Sequence, residues 1–204
     1  IGYEITQFFT SLQDLAGNPS DIALRGQVLQ KGQNLTLAIS SAYNNLATIQ
    51  READDRIGGL ISNVNDLSAQ IATINGQLAV GETANQQNLT LRDNRDVLIQ
   101  KLSELVPISS VEQSDRSVLV TLSNGFALVN GPTSRQLEFT NSPSFGPVGG
   151  FPVGLDGRGL SHVVYDFGGS QIDFTDAIRN GGGQIGGLLA VRGTQSETDT
   201  TPFD

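Results

Sequence analysis

The sequence predicts a mainly α chain with a β domain: an elongated antiparallel helical bundle, a coiled-coil-like rod, carrying a small antiparallel β domain. Three observations predict it. Apolar residues recur at alternating steps of three and four through the first half. Short runs rich in Val, Leu, Ile and Phe, separated by glycine turns, fill the second. Glycine marks the change, with 8 of the 24 in positions 1–124 and 16 in the shorter remainder. The implied organisation is a helical rod over 1–107, a β domain over 108–182, and over 183–204 the start of a segment returning to the helical part.

Ile5, Phe8, Phe9, Leu12 and Leu15 recur at helical spacing and open the chain as a helix. Asn18-Pro19-Ser20-Asp21 then reads as a stop and a restart. Pro19 lacks an amide donor, and Ser20 or Asp21 can accept from the free amides of the next helix. From Leu35 the ladder continues through Ile39, Ala42, Leu46, Ile49, Ala53, Ile57, Leu60, Val64, Leu67, Ile71, Ile74 and Leu78. Alternating threes and fours keep one stripe facing a partner, as in a coiled coil. The doubled step of four at Ala53 and Ile57 is a stutter, which locally unwinds a supercoil. Gly58 and Gly59 beside it mark either a weak turn or a bend or close approach by a neighbouring chain.

Gly81 ends this helix, which at about 60 residues and a rise of about 1.5 Å each is about 90 Å long. A second helix, from about Asn88 to Val106, carries Leu91, Leu98, Leu102 and Leu105 on one stripe and is closed by Pro107. It is too short to cover the long stripe, so the remaining cover is expected from chain before Ile1 or after Asp204. Between Ile57 and Gly81 the only charged residue is Asp66. Solvated coiled coils carry Glu and Lys on such faces. The face is therefore either a surface of Asn, Gln, Ser and Thr, or one that lies near other subunits, where desolvating charge is costly.

Beyond Pro107 the strand candidates are Ile108–Val111, Val118–Leu122, Phe126–Val129, Arg135–Phe139, Ser161–Phe167 and Gln171–Phe174. Asn124-Gly125, between two apolar runs, predicts a type I′ hairpin turn. The loop Phe145–Gly150 is rich in Gly and Pro. A brief helix is expected at Asp176–Asn180, and Ile185, Leu188 and Leu189 read as the start of a return helix.

Composition excludes several classes of function. A net charge of −9 opposes nucleic acid and anionic membrane surfaces as partners. With no Cys, no Met and a single histidine, His162, the chain has no thiol chemistry and no Cys-based metal site. His162 reads as a strand surface or core residue. Asp54 and Asp55 diverge on a helix, while Asp93 and Asp96, interleaved with Arg92 and Arg95, read as ion pairs along it. Gly181–Gly183 and Gly186-Gly187 lack the Gly-Lys-Ser/Thr ending of a phosphate loop. Catalytic, cofactor-binding and metal residues are accordingly expected to be none. Starting at Ile1 without an initiator Met or a signal-peptide pattern, the chain reads as an excised fragment.

Four stretches carry a family resemblance. They are Phe8-Phe9 with Leu12, Leu15, Asn18-Pro19, Asp21 and Arg25; Asn88-Leu89 leading to Asp93-Asn94-Arg95-Asp96 and Leu98; Asn124-Gly125-Phe126-Ala127-Leu128-Val129-Asn130-Gly131 with Arg135-Gln136-Leu137; and Gly186-Gly187-Leu188-Leu189. The chain resembles the FlgK family of flagellar hook-associated proteins, which join the bacterial hook to the filament. The resemblance makes Asp93, Arg95, Asp96, Asn124, Gly125, Leu128, Gly131, Gly186 and Gly187 structural motif residues. It implies a secreted, extracellular place at the hook–filament junction. The implied partners are the hook protein, the second junction protein, further copies in a ring and an export chaperone. After Leu189 the pattern departs from the family, because 193–199 is polar and poorly helical. A flagellin-like axial protein and a secreted rod displaying a β binding module are the alternative readings.

Overall fold

The computed structural model describes residues 1–81, 88–140, 160–167 and 170–192. They fall into two compact units, Ile1–Ile49 and the residues from Gln50 onward. The loop 145–150 and the segment 193–204 lie outside the described residues.

In the first unit, α1 (Gly2–Gly17) and the start of α2 (Ile22–Gly81) form a helical hairpin. Asp21 restarts the chain as expected. Its carboxylate accepts from the amides of Ala23 at 2.7 Å and Leu24 at 3.3 Å, two donors that a helix start leaves free. Lys31 donates to Gln7 at 3.1 Å and Phe8 lies 3.5 Å from where a Cβ would stand on Gly32, so α1 folds back along α2. Leu29, Leu37, Ile39, Tyr43, Leu46 and Ile49 remain exposed in this unit.

In the second unit, α2 continues from Gln50 to Gly81 and is followed by α3 (Leu89–Leu105), whose start Asn88 caps by accepting from the Leu91 amide. A meander of β1 (Ile108–Glu112), β2 (Val118–Leu122), β3 (Ala127–Asn130) and β4 (Thr133–Ser134) makes a four-stranded antiparallel sheet. A second antiparallel sheet joins β5 (Glu138–Thr140), β6 (His162–Asp166) and β7 (Gln171–Asp173). Two short helices follow, α4 (Thr175–Gly181) and α5 (Gly183–Arg192), with α5 against both α4 and α3. One core joins Ile57, Ile61, Val64 and Ile71 of α2 to Leu102, Val120, Leu128, Leu137, Val163, Ile178, Ile185 and Leu189.

Several expectations need correction. The stripe of α2 from Ile57 to Ala72 is covered by this chain's own strands and helices, so chain beyond either end is not needed there. The neighbour of Gly58 is Phe139, whose ring would stand 3.2 Å from an added Cβ, so the close approach comes from within the chain. The run Arg135–Phe139 is not one strand: β4 ends at Ser134 and β5 starts at Glu138. The Asn124-Gly125 turn is not type I′ either, because Gly125 has φ +85 while Asn124 is not among the residues with positive φ. Leu122 C=O accepts from Gly125 N–H, and Leu122 N–H donates to Phe126 C=O, each at 2.8 Å. This is a three-residue loop with glycine in the left-handed position, the other common hairpin solution.

Candidate functional site

Three polar side chains of α2 hold the β elements and the last helix onto it. The first is Asn75, fully buried. Its Nδ2 donates to the carbonyls of Val118 at 2.9 Å and Gly131 at 3.0 Å. Its Oδ1 accepts from the Val118 amide at 3.0 Å and from Arg95 Nη1 at 3.2 Å. An asparagine amide offers one acceptor and two donors, so it can meet both backbone groups of Val118 and one of Gly131. Asn65 repeats the device at Leu137, accepting from its amide and donating to its carbonyl, both at 2.8 Å.

The third is Asp54. Arg192 Nη1 donates to its Oδ1 at 2.5 Å and to the Ser161 carbonyl at 2.7 Å, while Ser161 Oγ donates to Asp54 Oδ2 at 2.8 Å. The carbonyl of Arg192 accepts from Gln50 Nε2 at 3.1 Å. Burial lowers the pKa of Arg192, opposed by its hydrogen bond and charge attraction to Asp54. A buried guanidinium of this kind is tolerable only with its carboxylate in place.

Two motif residues, Arg95 and Gly131, converge on Asn75. Arg95 is buried and also donates to the Arg116 carbonyl at 2.8 Å, so these two partners lie off α3, where an ion pair along the helix was expected. Arg92 likewise reaches Glu112 on β1 at 3.2 Å. Asp93 and Asp96 are exposed on α3. Leu128 is fully buried in the core. Gly125 and Asn124 lie at the β2–β3 loop, where Asn124 Oδ1 accepts from the Phe126 amide at 3.1 Å. Gly186 lies against α4, with the Ile178 carbonyl 2.8 Å from where a Cβ would stand, whereas Gly187 faces open space.

Asn65, Asn75, Asp54 and Arg192 were not singled out from the sequence as site residues. A signal for Asn75 was present. Beside the small residues Ala47, Ala53 and Ala72, the buried positions of α2 are Ile57, Ile61, Val64, Ser68, Ile71, Asn75 and Leu78, which follow one another in steps of four and three. Ser68 and Asn75 are the polar members of an otherwise apolar seam, seven residues apart. Nothing local marks Asn65 or the pairing of Asp54 with Arg192.

His162 is buried on β6, and its Nδ1 lies 2.6 Å from Asp173 Oδ2. Burial works to raise the Asp173 pKa, but hydrogen bonds from His162 and Thr175 outweigh it and hold the carboxyl below its ordinary value. Among the described residues no group of three or more His, Cys, Asp or Glu is arranged to hold a metal ion. No helix among them is long and apolar enough to cross a membrane. The arrangement is one of docking contacts that fix strands to a helix.

The family model for the helical domain of flagellar hook-associated protein FlgK matches residues 1–201. The chain belongs to this family. It is 28% identical over 193 residues to flagellar hook-associated protein 1 of Escherichia coli K12, covering 93% of this chain and 33% of that protein. It is 29% identical over 155 residues to the Bacillus subtilis 168 protein of the same name, covering 76% of this chain and 28% of that one. The structure of the flagellar hook junction protein FlgK from Burkholderia pseudomallei superposes with a TM-score of 0.76 at 28% identity, over 94% of this chain and 32% of that one. The chain thus spans about a third of the relatives it matches. The mainly α fold with small antiparallel sheets agrees with that neighbour.

Proposed function

We propose that this chain is the helical-domain part of a non-catalytic structural subunit that joins hook to filament in the bacterial flagellum. The observation that carries this reading is the family match over residues 1–201, almost the whole chain. The site supports it: Asn65, Asn75, Asp54 and Arg192 fasten one element to another and leave a braced helix with a β domain attached. The exposed apolar residues of Ile1–Ile49 suit further burial against other protein in an assembly.

In this reading Asp93, Arg95, Asp96, Asn124, Gly125, Leu128, Gly131, Gly186 and Gly187 serve architecture. The rod over 1–107, the β domain over 108–182 and the return segment from 183 are its functional divisions. The partners are the hook protein, the second junction protein and further copies in a ring, after export with a chaperone to the extracellular junction.

The test is genetic. A full-length version containing this segment is expressed in a strain that lacks its own junction protein, and swimming is scored along with filament attachment. Restored attachment is expected. A well-expressed, exported protein that leaves filaments detached from hooks would overturn the assignment.

A further inference from the structure

Four asparagines of the chain are followed directly by glycine: Asn75, Asn124, Asn130 and Asn180. Such a pair carries its own chemistry. The amide nitrogen of the second residue can attack the side-chain carbonyl of the first, and glycine obstructs that approach least because it has no Cβ. The fold places the four pairs in very different surroundings.

Asn75 is fully buried within α2, its side-chain amide engaged in four hydrogen bonds. Asn180 belongs to α4, and the Gly181 that follows it is seated against Pro107. Side chains on a helix lean back towards its start, away from the next amide. Asn130 ends β3 in register with Thr133, and Gly131 is buried with its carbonyl held by Asn75. Asn124 is the exception. It and Gly125 are both exposed, in the β2–β3 loop outside any strand or helix. Its Oδ1 accepts from the Phe126 amide at 3.1 Å, which turns the side chain forward along the chain, over Gly125. The same N–H can stabilise the negative charge that gathers on Oδ1 when the carbonyl is attacked. One bond, from Gly125 N–H to Leu122 C=O at 2.8 Å, has to open before solvent base can take the proton. An exposed loop opens at far lower cost than a helix interior or a buried strand end.

We propose that Asn124 is a site of spontaneous covalent modification. Gly125 N bonds to Asn124 Cγ, the Cγ–Nδ2 bond breaks, and Nδ2 leaves as ammonia with the proton that Gly125 gives up. Water then opens the cyclic imide. Cleavage at Cγ yields aspartate, and cleavage at the main-chain carbonyl yields isoaspartate, with an extra methylene in the backbone. Either product adds a negative charge. Aspartate keeps the acceptor that faces Phe126, whereas isoaspartate lengthens a loop whose span is set by the bonds of Leu122 to Gly125 and Phe126.

The experiment holds the purified chain at mildly alkaline pH for several weeks, in buffer and in concentrated guanidinium chloride. Peptide sequencing by mass spectrometry assigns conversion to each asparagine, and an isoaspartyl methyltransferase counts the isoaspartate. In buffer, Asn124 should convert at least about tenfold faster than Asn75, Asn130 or Asn180, whose surroundings must open first. In denaturant, where no fold separates them, the four rates should agree within about threefold. Faster conversion at any of the other three in buffer, no conversion at Asn124, or an unchanged lead of Asn124 in denaturant would each overturn the assignment.

Discussion

Replacing Asn75 with alanine should separate the β sheet from α2 at a single point. The substitution removes four hydrogen bonds, between 2.9 and 3.2 Å, from a residue with no exposed surface. Three of the lost partners are backbone groups: the amide and carbonyl of Val118 and the carbonyl of Gly131. Stranding a buried polar group costs about 1 kcal/mol or more, so the three together cost about 3 kcal/mol. Alanine returns about 0.5 kcal/mol as the better helix former. The net loss of about 2.5 kcal/mol, with a urea slope of about 2 kcal/mol per molar, lowers the midpoint by about 1 M. The assay follows Tyr165 fluorescence in a background where Tyr3 and Tyr43, the other two tyrosines, are phenylalanine. Asn63→Ala, at an exposed position on the same helix, is the control. If the Asn75→Ala midpoint fell within about 0.2 M of that control, the amide would not be holding the strands, and the reasoning from stranded groups would be refuted.

The two adjacent glycines of α5 should respond with opposite signs. Gly186→Ala drives a methyl into the Ile178 carbonyl and should cost about 2 kcal/mol, whereas Gly187→Ala enters open space and should gain about 0.5–1 kcal/mol in thermal or urea melts. Asp54→Ala leaves the Arg192 guanidinium buried without its carboxylate and should cost about 3 kcal/mol. The double substitution Asp54→Leu with Arg192→Met should be less destabilising than Asp54→Ala alone, and a more unstable double variant would count against the pairing. Asp173 has a native pKa below its unfolded value, so its contribution is present above about pH 4 and is lost as pH falls through the lowered native value. Asp173→Asn should therefore be less stable than the parent at pH 7, with the gap in urea midpoint closing towards pH 3; a constant gap would show that the carboxylate charge is not involved.

What was legible in the sequence was periodic or strongly local. The steps of three and four found α2, Asp21 was readable as a cap, and Asn124-Gly125 announced a hairpin. Its turn type was not legible, because that depends on whether two or three residues lie between the paired strands. The pair that closes the last helix onto α2 joins Asp54 to Arg192 across 138 residues. No spacing rule reaches so far. Asp93 and Asp96 were the more inviting carboxylates because a local rule for helical ion pairs exists, and the neighbouring arginines found partners on β1 and the β1–β2 turn all the same.

The uncharged face of α2 shows how a compositional oddity turns into a physical requirement. Lysine or glutamate on that face would have to be desolvated against strands whose backbone groups need both a donor and an acceptor. A carboxylate offers only acceptors and an ammonium only donors, so neither can meet the amide and the carbonyl of Val118 or Leu137 together. Asparagine can, and Asn65 and Asn75 do. Phe139 approaches Gly58 so closely that the ring itself excludes a longer side chain there. Asparagine is a weak helix former, and glycine a weaker one. A 60-residue helix that carries both at its docking points trades helical propensity for contact with its own β sheets. The shortage of charge, open on sequence alone to a reading as a face towards other subunits, is at these positions the imprint of a domain folded onto its own helix.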